Sequence, residues 1–251
     1  MVGRRAALVA PASVALAIAG CSSSSSGPDD TDDVVDVPEI PGLVAFYQFD
    51  GDLTDASEGG HDATSTRDIT YVTDHNGAAA SAIRVASSDD SVYVADCGAL
   101  DITGALSVSA WVNADLGTTM YGCIADKGYA DAAWSVGTNA LLSPMRKPLH
   151  LYVGTHTQRF SLDEAIPVGQ DLWVHFVCCF NDTTDETTFY IDGAYAFTDT
   201  ADSPVTLNVT DLDLRIGCSH YGDAFGGAID QLGIFDRELT ADEALELYQY
   251  D

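Results

Sequence analysis

From Gly42 onward, apolar and polar residues alternate in short runs broken by Gly, Asp, Asn and Ser, the two-residue period of half-buried strands. The pattern predicts strands at Leu43–Asp50, Ser91–Val94, Ser107–Val112, Ala133–Gly137 and Leu149–Val153. Five more follow at Trp173–Phe180, Thr187–Ile191, Ala194–Phe197, Leu212–Ile216 and Ala228–Phe235. In Trp173–Phe180 one alternating face holds Trp173, His175, Val177 and Cys179, and the other Val174, Phe176, Cys178 and Phe180. Both faces are largely apolar, which predicts a strand interior to a sandwich. Asp192-Gly193 tolerates positive φ at both positions and predicts a tight hairpin between its flanking strands. Thr240-Ala-Asp-Glu243 is a capping box that opens an amphipathic helix with Leu245 and Tyr248 on one side. Many strands and one late helix predict an all-β fold, an antiparallel two-sheet sandwich with a short C-terminal helix.

The first 41 residues follow another pattern. Arg4 and Arg5 precede Ala6–Ala17, an apolar stretch too short to span a bilayer. It ends in Ile18-Ala-Gly-Cys21, which resembles the bacterial lipobox, where cleavage leaves an N-terminal cysteine carrying lipid on its sulfur. Ser22–Ser26 and the Asp- and Pro-containing stretch to Pro41 read as a flexible tether. The expected organisation is a signal peptide at 1–20, a tether at 21–41 beginning at lipidated Cys21, and a globular domain at 42–251. The implied location is the bacterial cell envelope, at the outer membrane or cell surface, with membrane contact through the lipid anchor alone.

Charge narrows the partners. The chain has 39 acidic and 10 basic side chains, a formal net charge of −29. Removing Arg4 and Arg5 leaves 8 basic residues, and 8 − 39 gives −31. Such a surface excludes nucleic acid as a partner. A hydrophobic fraction of 46% is enough to bury a core and excludes disorder throughout. Beyond Cys21, the five cysteines Cys97, Cys123, Cys178, Cys179 and Cys218 allow at most two disulfides and leave one thiol over. Cys178 and Cys179 point to opposite faces of one strand and should not pair with each other.

Four stretches in order resemble the laminin-G-like, concanavalin A-like lectin/glucanase family. They are Leu43–Asp50 with Asp55-Ala-Ser57-Glu-Gly-Gly60; Leu106-Ser-Val-Ser-Ala-Trp-Val112; Trp173-Val-His-Phe-Val177 with Phe189-Tyr-Ile-Asp-Gly193; and Gly226–Phe235 followed by Arg237–Glu243. The resemblance runs from about Gly42 to Asp251 and implies that the sandwich is a jelly roll. One departure is Gln231, where the closing motif usually carries an acid after Ile-Asp. The scaffold hosts lectins, glycanases, lyases and adhesive modules, so function must be argued from sites.

Three chemistries were weighed. Asp50, Asp52, Asp55 and Ser57 place four oxygen-bearing side chains within eight residues, as an irregular calcium loop does. The resemblance implies one structural Ca²⁺ between the end of the opening strand and the acid of the closing Ile-Asp motif. That makes Asp50 and Asp230 the leading ligands, with Asp55 next and Asp52 and Ser57 after it. Catalysis is not expected, because the glycanases of this fold carry a Glu-x-Asp-x-x-Glu run and none occurs here; His175 reads as a packing residue. A lyase would need a Tyr/His/Arg group on one strand, and Leu149–Arg159 offers His150, Tyr152, His156 and Arg159. Sugar binding needs exposed rings, and Tyr121, Tyr129, His156, His220 and Tyr221 lie in expected loops or strand ends. Trp111, Trp134 and Trp173 fall inside strands and read as core. The expectation is a monomeric, surface-anchored lipoprotein that binds a glycan or an extracellular protein. A polysaccharide lyase and an adhesive module without a small ligand are the alternatives.

Overall fold

The computed structural model describes residues 37–90, 92–115, 121–128, 133–139, 146–154, 158–167, 169 and 172–250. Residues 1–36, and with them Cys21, the signal peptide and most of the tether, lie outside that set, as do Tyr129 and His156. Along the chain come β1 (Leu43–Tyr47), β2 (Thr64–Ser65), β3 (Thr70–Val72), β4 (Ala82–Val85) and β5 (Val92–Val94). Next are β6 (Ala105–Ala114), β7 (Tyr121–Asp126), β8 (Trp134–Asn139), β9 (Arg146–Val153) and β10 (Gln158–Pro167). Last are β11 (Trp173–Asn181), β12 (Glu186–Ile191), β13 (Ala194–Thr200), β14 (Leu214–Ile216), β15 (Gly227–Phe235) and the helix α1 (Ala241–Gln249).

These strands build two antiparallel sheets, as the sequence predicts. Sheet A has the order β13-β12-β11-β6-β15-β4-β3, with β1 also paired to β15; sheet B has the order β10-β9-β8-β7-β14-β5-β2. The inner faces meet in one core, where Val108, Val112, Phe176 and Phe180 of sheet A face Trp134, Val136, Leu151 and Phe160 of sheet B. Each large apolar side chain buried this way contributes about 1.5–3 kcal/mol. Strand β11 lies between β12 and β6, the interior place its two apolar faces require. Asp192 and Gly193 have φ of 48° and 72°, and Ile191 pairs with Ala194, so the turn is the two-residue hairpin that Asp-Gly predicts.

Helix α1 begins with the expected reciprocal cap, Thr240 accepting from the Glu243 amide and Glu243 accepting from the Thr240 amide. Arg237 also clamps the Glu243 carboxylate, at 2.6 and 2.9 Å. The helix buries Ala244 and Leu247 against Val177, Cys179, Tyr190 and Phe235 on the outer face of sheet A, and Ile40 joins this second cluster. Cys178 belongs to the main core and Cys179 to the second cluster, on opposite faces as expected. All five cysteines of the described residues are free thiols, so none of the allowed disulfides is formed.

Strand β15 organises the functional end of sheet A. Its second edge is shared: β4 takes Gly227–Ile229, and β1 takes Leu232–Phe235. The register against β6 shifts between Asp230 and Gly233, and Gln231 adopts φ of 46°. The bulge resets the alternation so that Ile229 and Leu232 both reach the core, while Asp230 between them faces outward.

Candidate functional site

Three of the acidic candidates, Asp52, Asp55 and Asp230, have protein partners. Asp55 is 5% exposed, and its carboxylate accepts from the backbone amides of Phe46, Ser57 and His61. Asp52 accepts from the Thr54 amide, and Asp50 is an exposed bend residue. Ser57 donates its hydroxyl to the Val44 carbonyl. Strands β1 and β15 do pair, as the resemblance implies, but Asp230 turns to His75, whose Nδ1 lies 2.7 Å from its Oδ2. Burial pushes the Asp230 carboxyl up to about 6, against the pull of the His75 bond. Among the described residues no three His, Cys, Asp or Glu side chains group where they could hold a metal ion. As arranged, Asp52, Asp55 and Asp230 serve as hydrogen-bond acceptors.

Around Asp230 lies an aromatic stack that sequence reasoning missed. The His75 ring lies on Trp111 at 4.2 Å and 13°, and Trp111 stacks on Tyr248 of α1 at 5.3 Å. His175 packs tilted on Trp111, and burial together with the nearby His75 pushes it down to about 3. His175 is therefore a neutral packing residue, as its strand position implies.

The outer face of sheet B carries a different arrangement, a cavity of about 400 Å³. Its floor is made by Gly122 of β7 and Gly137 of β8. A side chain on Gly137 would come within 2.4 Å of the Gly122 carbonyl, so only glycine leaves the floor flat. Its walls are Tyr121, His150, Tyr152, Ser135, Ser219 and Asp223, with the Cys123 thiol beside them. His150 and Tyr152 share the outer face of β9 and pack edge to face at 4.7 Å. Burial, reinforced by Arg159, pushes His150 down to about 3, so its ring is neutral at physiological pH. Its Nδ1 is buried without a hydrogen-bond partner, a group that costs about 1–3 kcal/mol until it is satisfied. Arg159 pairs directly across from Tyr152. Tyr121 is 42% exposed at the rim.

His220 does not join the lining. Its two ring nitrogens face Asp126 at 2.9 Å and Asp213 at 3.1 Å, and its amide also donates to Asp126. Burial pulls the His220 pKa down, but these carboxylates outweigh it and hold the ring above the ordinary histidine value. Burial likewise pulls Asp126 up, and the bonds from His220 and the Gly128 amide hold it below the ordinary aspartate value. The clamp fixes the turn that supplies Ser219 and Asp223 to the cavity, with Tyr221, 62% exposed, at its crest. With both ring nitrogens facing carboxylates, His220 holds this turn in place beside the cavity.

Residues 86–244 match the Laminin_G_3 family, described as the concanavalin A-like lectin/glucanases superfamily. The chain belongs to this superfamily. Solved structures agree on the fold. Domain 4 of AbnA, a GH43 extracellular arabinanase from Geobacillus stearothermophilus solved in complex with arabinotriose, is 21% identical with a TM-score of 0.61. That likeness covers 82% of this chain and 98% of the arabinanase domain. The binding domain of Paraclostridial Mosquitocidal Protein 1 is 14% identical with a TM-score of 0.63, covering 82% of this chain and 52% of that one. A botulinum neurotoxin type C structure, whose cell entry depends on two ganglioside molecules, is 14% identical with a TM-score of 0.60 and covers 82% and 50%. This chain therefore spans about half the length of the toxin chains. Comparison with curated proteins found no match. The sheet B cavity of this chain combines rings with small polar groups on a glycine floor.

Proposed function

We propose that the domain is a carbohydrate-binding module, that it takes a sugar residue into the sheet B cavity, and that lipidated Cys21 displays it from the bacterial envelope. The observation that carries this reading is the convergence of Tyr121, His150 and Tyr152 with Ser135, Ser219 and Asp223 around one glycine-floored cavity. The volume lies in the range of small-molecule sites. Aromatic faces stack on the apolar face of a sugar ring, while hydroxyl and carboxylate groups select its hydroxyls. Arabinotriose binding by the arabinanase domain and ganglioside dependence of the neurotoxin support a glycan over a protein ligand.

A glycan array with the mature protein tests the reading. Binding should appear on a restricted set of glycans, and Tyr152→Ala should weaken it at least about tenfold, the loss of roughly 1.4 kcal/mol. A Tyr152→Ala protein that binds like wild type overturns the assignment of the cavity. For the anchor, Cys21→Ser should release the protein from membranes, and unchanged membrane partition overturns it.

The grouping of His150, Tyr152 and Arg159 favours a second reading, β-elimination on a uronate polymer. Neutral His150 would take the C5 proton, Tyr152 would protonate the leaving oxygen, and the C4–O bond would break as a C4–C5 double bond forms, with Arg159 facing the carboxylate. Ultraviolet absorbance of the unsaturated product, present with wild type and absent with Tyr152→Phe, separates the two readings.

A further inference from the structure

A second groove, of about 420 Å³, opens on the outer face of sheet A, opposite the cavity described above. Strand register builds it. Arg84 of β4, Ala228 of β15, Asn113 of β6 and Trp173 of β11 are successive cross-strand neighbours in one row. Ala228 is small, so the row dips in the middle, and Thr73 and Asp115 complete the rim. Trp173 was expected in the core. It is only half-buried, and it lines this groove.

The ring of Trp173 is held in place from behind. It meets His75 edge to face at 6.5 Å, and His75 is fixed by Trp111 on one side and Asp230 on the other. Helix α1 covers the same face over Val177 and Cys179 and leaves the Trp173 row open. At the far side Arg84 donates two bonds to Asp115, at 3.0 and 2.5 Å, with side-chain exposures of 36% and 22%.

We propose that this groove is a second glycan site, for an uncharged sugar residue of an oligosaccharide. It rests on the carbohydrate reading above for its ligand class, while its geometry is independent of the sheet B cavity. An indole face stacks on the apolar face of a sugar ring. Asn113, Arg84 and Asp115 are planar groups that each present several donors or acceptors, as adjacent hydroxyls require. Charge decides the rest. Arg84 and Asp115 neutralise each other, so the groove offers no unpaired charge to recruit a charged sugar, and a net charge of −29 repels an anion. Two sites on opposite faces would let one domain bridge polysaccharide chains or hold one chain at two points, raising avidity without new contacts.

Tryptophan fluorescence tests this directly. Trp134 and Trp111 are 1% and 9% exposed, so emission open to aqueous acrylamide comes from Trp173. Arabinopentaose, xylopentaose, cellopentaose and β-galactopentaose are titrated separately into the full mature protein. At least one should shield Trp173 from the quencher. Asn113→Ala should weaken that protection about tenfold, and Tyr152→Ala should leave it unchanged. If Asn113→Ala does not fold, Thr73→Val at the exposed rim serves in its place, with a smaller loss. The proposal is overturned if no probe protects the indole, or if protection survives the groove variants and disappears in Tyr152→Ala. Loss of array binding in Tyr152→Ala with intact Trp173 protection, or the reverse, shows which of the two sites fails.

Discussion

His75 and Asp230, 155 residues apart, form a 2.7 Å hydrogen bond with side chains only 4% and 2% exposed. Alternation from the core residue Ile229 turns the carboxylate outward, and the β3–β4 connection brings the imidazole to it. The pair closes the end of sheet A where β4 gives way to β1.

Burial raises the Asp230 pKa from 3.8 to about 6, so the folded state holds its proton more tightly than the unfolded chain. Its contribution to stability is therefore complete below pH 4 and lost as pH rises through about 6, a change on the order of 2–3 kcal/mol. Asp230→Asn should flatten this part of the pH profile of the melting temperature. An unchanged profile in that variant would show that the carboxyl does not titrate in the folded state.

A calcium ion at Asp230 would have to displace His75 from the same carboxylate. Calcium stabilises only a state that binds it, by RT ln(1 + [L]/Kd). Any rise in melting temperature with calcium should therefore be larger in His75→Ala than in wild type, and absent when Asp230→Ala is added. Differential scanning fluorimetry with calcium and with chelator makes the comparison.

Lys127 is 1% exposed, and its ammonium is spent on Asp96 at 2.6 Å and on the carbonyls of Thr210 and Leu212 at 2.9 and 2.7 Å. It ties three loops at the β7 end of sheet B. Lys127→Met leaves these acceptors unmatched and should destabilise the fold by about 3 kcal/mol, read in chemical denaturation. Arginine should not rescue it, because the cavity fits a compact ammonium rather than a planar fork.

The His220 clamp has two limits. Its raised pKa contributes stability below the unfolded histidine value, and that contribution is lost as pH rises through the folded value. The lowered Asp126 pKa contributes above the unfolded aspartate value and is lost as pH falls through the folded value. Amide protection of Gly222 and Asp223 should be greatest between these limits. His220→Gln should lower it throughout and weaken glycan binding at the sheet B cavity.

Much of the fold was legible because β11 and the Asp192-Gly193 turn carry strong local signals. Strands β4, β7 and β10 were not legible. Gly122 interrupts β7, β4 is four residues long, and β10 begins Gln-Arg-Phe-Ser-Leu-Asp-Glu, with only two apolar residues in seven. The site was harder. Tyr121 and the face shared by His150 and Tyr152 were visible, but Ser135, Ser219 and Asp223 have no periodicity to mark them. Alternation placed Trp173 on one face with Val177 and Cys179, yet it could not say that this face points outward or where α1 stops covering it. Register decides such pairings as Ala228 with Asn113, and it emerges only when the sheet forms.

The burial of Ile40 against α1 sets a polarity for the whole domain. The chain enters on the sheet A side, so the sheet B cavity opens toward the opposite hemisphere.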